Sequence, residues 1–106
     1  MIVTVWNNGD HKESGAGYGL KISMYDRDQY FERTWQSVFL RIEGQTHEIE
    51  IKINKDSFWG TTCRELIHKD IGLWLRTNNM APWPRNAPPK LNLVQETGNH
   101  FVLCKS

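Results

Sequence analysis

Apolar and charged side chains alternate most regularly between residues 38 and 53 of the chain. Branched aliphatic residues occupy every second position, namely Val38, Leu40, Ile42, Ile49, Ile51 and Ile53. A period of two is typical of a strand with one buried face and one solvent face. Because residues 44–46 interrupt this pattern with a polar link, the segment predicts a β-hairpin. Arg41 and Lys52 are expected to lie opposite glutamates on its charged face.

Two strands are predicted before this hairpin and two after it. Residues 2–6 are β-branched and apolar and end at an Asn-Asn-Gly turn. Residues 17–23 alternate Tyr18, Leu20 and Ile22 with Gly19 and Lys21, which predicts a second strand. Residues 91–94 and 101–104 flank a Thr-Gly-Asn turn signal and predict a closing hairpin.

Helical spacing replaces alternation after residue 57. Ser57 is a good N-cap, and apolar side chains recur at positions 58, 59, 63, 66, 67, 71 and 74. This spacing predicts one main helix over residues 57–78, although a capping-box pattern at 62–65 leaves a later start open. Residues 26–33 predict a short helix capped by Asp26. The four prolines of residues 80–90 predict an extended surface loop.

The order of these elements defines the expected fold class. Hairpins combined with one long amphipathic helix indicate an α+β protein with two layers. We expect a largely antiparallel sheet of about six strands with one main helix packed on one face. At 106 residues, the chain has the size of one domain, so a single α+β domain is expected over residues 1–106.

The composition argues against a membrane or secreted protein. No apolar run approaches the ~20 residues of a membrane span, and the first residues lack the features of a signal peptide. Cys63 and Cys104 are too few for a disulfide framework. We therefore expect a cytoplasmic protein with reduced thiols, while a bridge between the two cysteines stays open as the less favoured alternative.

Positive charge is concentrated in the last third of the sequence. The net charge is +1, but residues 71–106 contain four Lys or Arg residues and Glu96 as their only acid. Residues 76–90, which we call the basic segment, contain three of these cations and Trp83; the candidate binding residues are Arg76, Trp83, Arg85 and Lys90. Cations suit phosphates, and a tryptophan stacks on bases. The alternative is that Trp83 seals the core and the cations are simply solvated.

Asp70 is the one charged residue that the predicted helix places on its apolar face, so it is a candidate buried acid. Three accounts stay open: the helix restarts near residue 70 with Asp70 as a cap, Asp70 pairs with Arg27 or Arg33, or Asp70 is a tuned acid in a cleft. Cys63 falls on the apolar stripe and is interpreted as a core residue. No spacing of His, Cys and carboxylates predicts a metal site, no catalytic set is visible, and no cofactor is implied.

Several motifs together resemble a family of small uncharacterised bacterial proteins that is loosely associated with mobile genetic elements such as integron gene cassettes. The motifs are GYG at 17–19, RDQYF at 27–31 followed by Trp35, SFW at 57–59, CREL at 63–66, IGLWL at 71–75, APWP at 81–84 and PPK at 88–90. The resemblance covers most of the chain from residue 17 to residue 90. It implies a bacterial origin but brings no activity and no functional residue.

The leading functional hypothesis is a non-enzymatic binding module. Its expected partner is nucleic acid or an acidic protein surface, contacted through the basic segment, and no membrane is expected. A small enzyme of unrecognised type with a cleft near Asp70 is the first alternative. A structural protein that self-associates as a homo-oligomer through an exposed sheet edge or its aromatic residues is the second.

Overall fold

Seven strands and two short helices make up the fold in a computed structural model, which describes residues 1–105. The elements are β1 (Ile2–Asn7), β2 (Tyr18–Lys21), α1 (Met24–Tyr30), β3 (Ser37–Ile42), β4 (Glu48–Lys52), β5 (Glu65–Ile67), α2 (Lys69–Thr77), β6 (Lys90–Thr97) and β7 (His100–Cys104). Neither helix is long and apolar enough to cross a membrane within these residues.

All seven strands belong to one sheet with the order β4-β3-β7-β6-β1-β2-β5. Neighbouring strands are antiparallel except β3 and β7, which run parallel. The sheet curls into a nearly closed, barrel-like form. Its interior is filled by inward side chains of the strands together with residues from the helices and connections, among them Tyr18, Leu40, Phe58, Ile71 and Phe101.

The central hairpin forms as its alternation predicts. Val38 pairs with Ile51 and Leu40 with Ile49, and all four side chains are buried. Arg41 lies opposite Glu48, but its guanidinium forms its ion pair with Glu96 on β6, at 3.2 Å. The closing hairpin also forms, as β6 and β7. Apolar alternation was therefore a reliable guide wherever one face of a strand is buried and the other is solvated.

The expected fold class was wrong. The structure is mostly sheet, with seven strands in one nearly closed, barrel-like layer and two short helices, rather than two layers with a main helix across one face. The physical reason is that a strongly curved sheet covers its own apolar face, so the core needs no long helix as a second layer. β7 also inserts between β3 and β6, which places strands that are distant in sequence side by side.

Residues 57–78 were predicted as one long helix, but they form turns, a strand and a shorter helix. Residues 55–62 form turns, β5 extends the sheet beside β2, and α2 begins only at Lys69. Gly60 and two β-branched threonines are poor helix formers, and Leu66 is buried by pairing with Leu20 instead. Cys63, expected in the core, is exposed. Apolar residues at helical spacing thus serve the core from a turn, a strand and a shorter helix.

Arg27 of α1 holds the turns that replace the first half of the predicted helix. The helix is capped by Ser23, whose hydroxyl accepts from the backbone of Asp26, so Asp26 is not the cap. The Arg27 side chain is only 7% exposed and donates to the carbonyls of Phe58 and Gly60 at 3.1 and 2.5 Å. Because these carbonyls lack partners within a helix, the buried guanidinium satisfies them and fixes the connection to β5.

Candidate functional site

Strand β1 has a core face and an outer face that carry equally apolar residues. Val3 and Val5 point into the core and are at most 2% exposed. Ile2, Thr4 and Trp6 alternate with them and point outward, where Ile2 is 60% exposed and Trp6 is half-buried. The outer face of β1 therefore carries a tryptophan, Trp6, that does not pack into the core.

Trp6 differs from the other four tryptophans of the chain. Trp74 belongs to the core, and Trp35, Trp59 and Trp83 pack against it, whereas Trp6 does neither. The indole N–H groups of Trp59 and Trp74 donate to backbone carbonyls. Within residues 1–105, the Trp6 indole has no hydrogen-bond acceptor, no aromatic neighbour in ring contact and no cation over its face.

A glycine lies beside Trp6 on the outer face. Trp6 pairs with Gly19 of β2, and Gly19 pairs in turn with Ile67 of β5, which is 41% exposed. A Cβ atom at Gly19 would come within 2.5 Å of the Leu66 carbonyl oxygen, so the close approach of β5 requires glycine at this position. Gly19 is itself buried, and the Leu66 carbonyl and the Ile67 side chain of β5 occupy the space where its side chain would stand.

Two lysines flank β1 in the adjacent row of outward residues. Thr4 pairs with Lys90 of β6 on one side and with Lys21 of β2 on the other. Both lysines are exposed, and Lys90 Nζ donates to Thr4 Oγ1 at 3.3 Å. Strands lie about 4.8 Å apart and alternate residues about 7 Å apart along a strand. The Cα atoms of the two lysines are thus about 10 Å apart, and the row of Trp6 lies about 7 Å further along the strands.

We call this surface the β1 face and define it by six residues: Thr4, Trp6, Gly19, Lys21, Ile67 and Lys90. Its one acidic neighbour in the lysine row is Glu65, which lies opposite Lys21 and is 8% exposed. No ion pair joins Lys21 to Glu65 among the described residues. The positive end of the row is therefore at Lys90 and Thr4, and both ammonium groups stay free to meet an anion.

The structure separates the four candidate residues of the basic segment. Arg85 is exposed, at a turn closed by a hydrogen bond from the Ala87 N–H to the Pro84 carbonyl. The segment then joins β1, where Val5 N–H donates to Pro89 O at 2.9 Å, and delivers Lys90 to the β1 face. Arg76 and Trp83 instead join an internal cluster. Two of the four residues therefore remain available to a partner.

The internal cluster is built around the fully buried Tyr18. Arg76 donates to the phenol oxygen at 3.3 Å, and His11 Nδ1 lies 2.8 Å from the same oxygen. The phenol oxygen therefore links the guanidinium of Arg76 to the imidazole of His11. The Trp83 ring meets His11 and Tyr18 edge-on, with centroids 4.7 and 5.9 Å apart. We call His11, Tyr18, Arg76 and Trp83 the Tyr18 cluster; its polar groups are largely satisfied within the protein.

Asp70 lies in the first turn of α2, one residue after the helix begins. The cap is His68, whose Nδ1 accepts from the Asp70 N–H at 3.0 Å. The Asp70 side chain is 27% exposed, and its carboxylate lies 3.7 Å from His47 Nε2. It does not pair with Arg27, whose guanidinium instead contacts Asp28 and the turns before β5. A carboxylate at this end of a helix is favoured by the positive end of the helix dipole. Asp70 is thus a partly exposed acid of the helix start.

The described residues form neither a metal site nor a pocket. Within residues 1–105, no group of three or more His, Cys, Asp or Glu side chains is arranged to hold a metal ion. No pocket is found in the same part of the chain. Cys63 and Cys104 are both free thiols. The candidate binding residues of the β1 face lie on the surface of the sheet.

Comparisons with known proteins add no relative. No family model matches the chain, and neither the curated proteins nor the solved structures searched gave a match. The resemblance to a family of small bacterial proteins loosely associated with mobile genetic elements therefore stays a prediction.

Sequence reasoning missed Trp6 and Lys21. Residues 2–6 are apolar or β-branched at both parities, so no alternation shows which of them point outward. The grouping of Lys21, Thr4 and Lys90 follows from the pairing of three strands that are far apart in sequence. One signal was present: Gly19 inside a strand marks a close approach of another backbone, which here is that of β5.

Proposed function

We propose that the protein is a nucleic-acid-binding module that holds a phosphate backbone against the β1 face. The observation that carries this proposal is the row in which Lys21 and Lys90 flank Thr4. The two exposed lysines lie on the strands either side of β1, and the sheet fixes the spacing of their backbone positions. Arg85, at the turn that precedes β6, supplies a third exposed cation.

The charges of the β1 face suit phosphates. Lysine is a compact point charge that contacts a phosphate without a fixed geometry, so it suits binding that does not depend on sequence. Within residues 1–105, neither Lys21 nor Lys90 forms an ion pair, so no internal carboxylate has to be displaced. Binding of a polyanion then gains from release of its counterions.

Salt dependence is the direct test. Fluorescence anisotropy of a labelled oligonucleotide of about 20 bases would give Kd between 20 and 200 mM NaCl. Each phosphate neutralised on a single strand contributes about 0.7 to the slope of log K against log salt. Three cations therefore predict a slope of about −2, or roughly a hundredfold loss of affinity for a tenfold rise in salt.

A charge-matched pair of double variants locates the site. Lys21→Gln with Lys90→Gln should flatten the slope by about 1.4, since two phosphate contacts are lost. Lys52→Gln with Lys55→Gln removes the same charge from exposed positions on β4 and the loop after it, and should leave the slope unchanged. Equal effects of both pairs, or no salt-dependent binding by the wild type, would refute the proposal. If poly-glutamate competes as well as the oligonucleotide does, the partner is an acidic protein surface instead.

A further inference from the structure

We infer that Trp6 is a stacking platform for an unpaired base, so that the β1 face selects single-stranded over double-stranded nucleic acid. This inference rests on the proposed function and specifies its ligand class. Trp6 lies next to the two lysines in the sheet, and phosphate binding by those lysines does not require it.

The first support is that Trp6 has no structural task in the core. Three tryptophans pack against the core and Trp74 lies in it, whereas Trp6 stands on the outer face. An indole carries a large apolar area, and leaving it at the surface forgoes the stabilisation that its burial would give. A half-buried tryptophan with a free indole N–H is typical of a residue that completes its contacts on binding.

The second support is the position of Trp6 relative to the lysines. Trp6 is two residues along β1 from Thr4, so its row lies about 7 Å from the lysine row. A nucleotide is a phosphate joined to a flat base through a sugar, and it spans a distance of this order. A single strand can therefore place its phosphates on Lys21 and Lys90 and turn a base onto Trp6.

The third support is a comparison with Trp83, the tryptophan of the basic segment. His11 and Tyr18 occupy the surroundings of its ring at centroid distances of 4.7 and 5.9 Å. A base would have to displace these residues before it could stack there. No ring occupies the equivalent space at Trp6 within the described residues. A duplex keeps its bases stacked inside, so it offers this free indole no base face.

An abasic oligonucleotide separates stacking from phosphate binding. Kd would be measured by anisotropy for oligo-dT, for an abasic strand of the same length and for a duplex, all at low salt. Stacking of one base on an aromatic side chain is worth a factor of about 5 to 150 in affinity. The wild type should therefore bind oligo-dT more tightly than the abasic strand by a factor in this range.

Two substitutions at position 6 complete the test. Trp6→Ala should bind oligo-dT and the abasic strand equally, at the wild-type abasic affinity and with an unchanged salt slope. Trp6→Phe keeps an aromatic face and should retain most of the preference for oligo-dT. It should also lose the part of the tryptophan fluorescence quenching that oligo-dT causes in the wild type. Circular dichroism would confirm that both variants fold.

The outcomes distinguish the two proposals. Salt-dependent binding with equal affinity for oligo-dT and the abasic strand, unaffected by Trp6→Ala, would overturn the stacking inference and leave phosphate binding intact. A duplex bound as tightly as oligo-dT would also overturn it. Absence of salt-dependent binding to all three ligands would overturn the proposed function itself and the stacking inference with it.

Discussion

The Tyr18 cluster and the β1 face contain similar residue types but differ in whether those side chains find partners inside the protein. The Tyr18 cluster contains Trp83 and Arg76, and the β1 face contains Trp6 and two lysines. In the Tyr18 cluster, Arg76 donates to Tyr18 and to the His11 carbonyl, and Trp83 packs against the core. On the β1 face, Trp6 makes no ring contact and Lys21 makes no ion pair within residues 1–105.

The difference teaches that residue type alone does not mark a binding surface. An aromatic and a cation whose contacts are met inside the protein contribute to stability, because separating them would leave polar groups unpaired. The same pair with unmet contacts contributes little to folding and remains available to a ligand. Substitutions in the two regions should therefore affect different measurements: stability for the Tyr18 cluster and binding for the β1 face.

The largest expected difference is between the two tryptophans. Trp83→Ala should lower the free energy of unfolding by about 2–3 kcal/mol, less than for a fully buried tryptophan because Trp83 is half-buried. Trp6→Ala should lower it by less, about 1–1.5 kcal/mol, because Trp6 is also half-buried but lies outside the core cluster. Urea unfolding of both variants would measure this. A larger loss for Trp6→Ala than for Trp83→Ala would show that the roles are reversed.

The next effect concerns the contact between the N-terminal loop and α2. Alanine normally stabilises a helix relative to glycine, yet a Cβ at Gly72 would lie 2.3 Å from Gly15 O and 2.6 Å from Tyr18 Cδ2. Gly72→Ala should therefore destabilise the protein by about 1–2 kcal/mol, since overpacking exceeds the gain in propensity. Thermal or urea unfolding would measure the change.

Lys69→Ala is the control for this prediction. Lys69 begins α2 and is exposed, so its truncation should change stability by no more than about 0.5 kcal/mol. If Gly72→Ala stabilised the protein, the close packing of the loop on α2 would be refuted.

A smaller effect is expected from the phenol at the centre of the Tyr18 cluster. Tyr18→Phe removes the oxygen that joins Arg76 and His11 but keeps the buried ring. Water can reach the half-buried partners, so the cost should be about 1 kcal/mol. Tyr25→Phe removes an equivalent hydroxyl from a residue that is 73% exposed and should be neutral in the same unfolding experiment. Equal stability of both variants would contradict a structural role for the cluster.

The sequence predicted correctly the strands in which alternation of apolar and charged side chains alone determines the buried face. In β3 and β4, alternation of isoleucines with charged residues fixed the facing pairs, because a shift by one residue would bury glutamates. The predicted long helix was wrong because helical spacing also arises when a strand and a shorter helix cover one core. His68 has extended backbone angles and ends any helix from residue 57 before α2 begins.

The candidate site was only partly accessible to sequence reasoning, for a similar reason. Arg85 and Lys90 were identified from local charge, and both are exposed. Trp83 is a candidate from sequence because it lies in a basic, Pro-rich segment, whereas Trp6 ends an apolar strand and carries no such signal. The packing of distant elements decides which tryptophan is covered: residues 11 and 18 cover Trp83, and a glycine lies beside Trp6.

The central claim is that the β1 face, rather than the Tyr18 cluster, meets a single-stranded nucleic acid. The most direct measurement is a titration of ¹⁵N-labelled protein with oligo-dT, monitored through the indole N–H resonances of the five tryptophans. We predict that the Trp6 resonance shifts progressively while those of Trp35, Trp59, Trp74 and Trp83 stay in place. A shift of the Trp83 resonance with Trp6 unmoved would contradict the account and assign binding to the basic segment around the Tyr18 cluster.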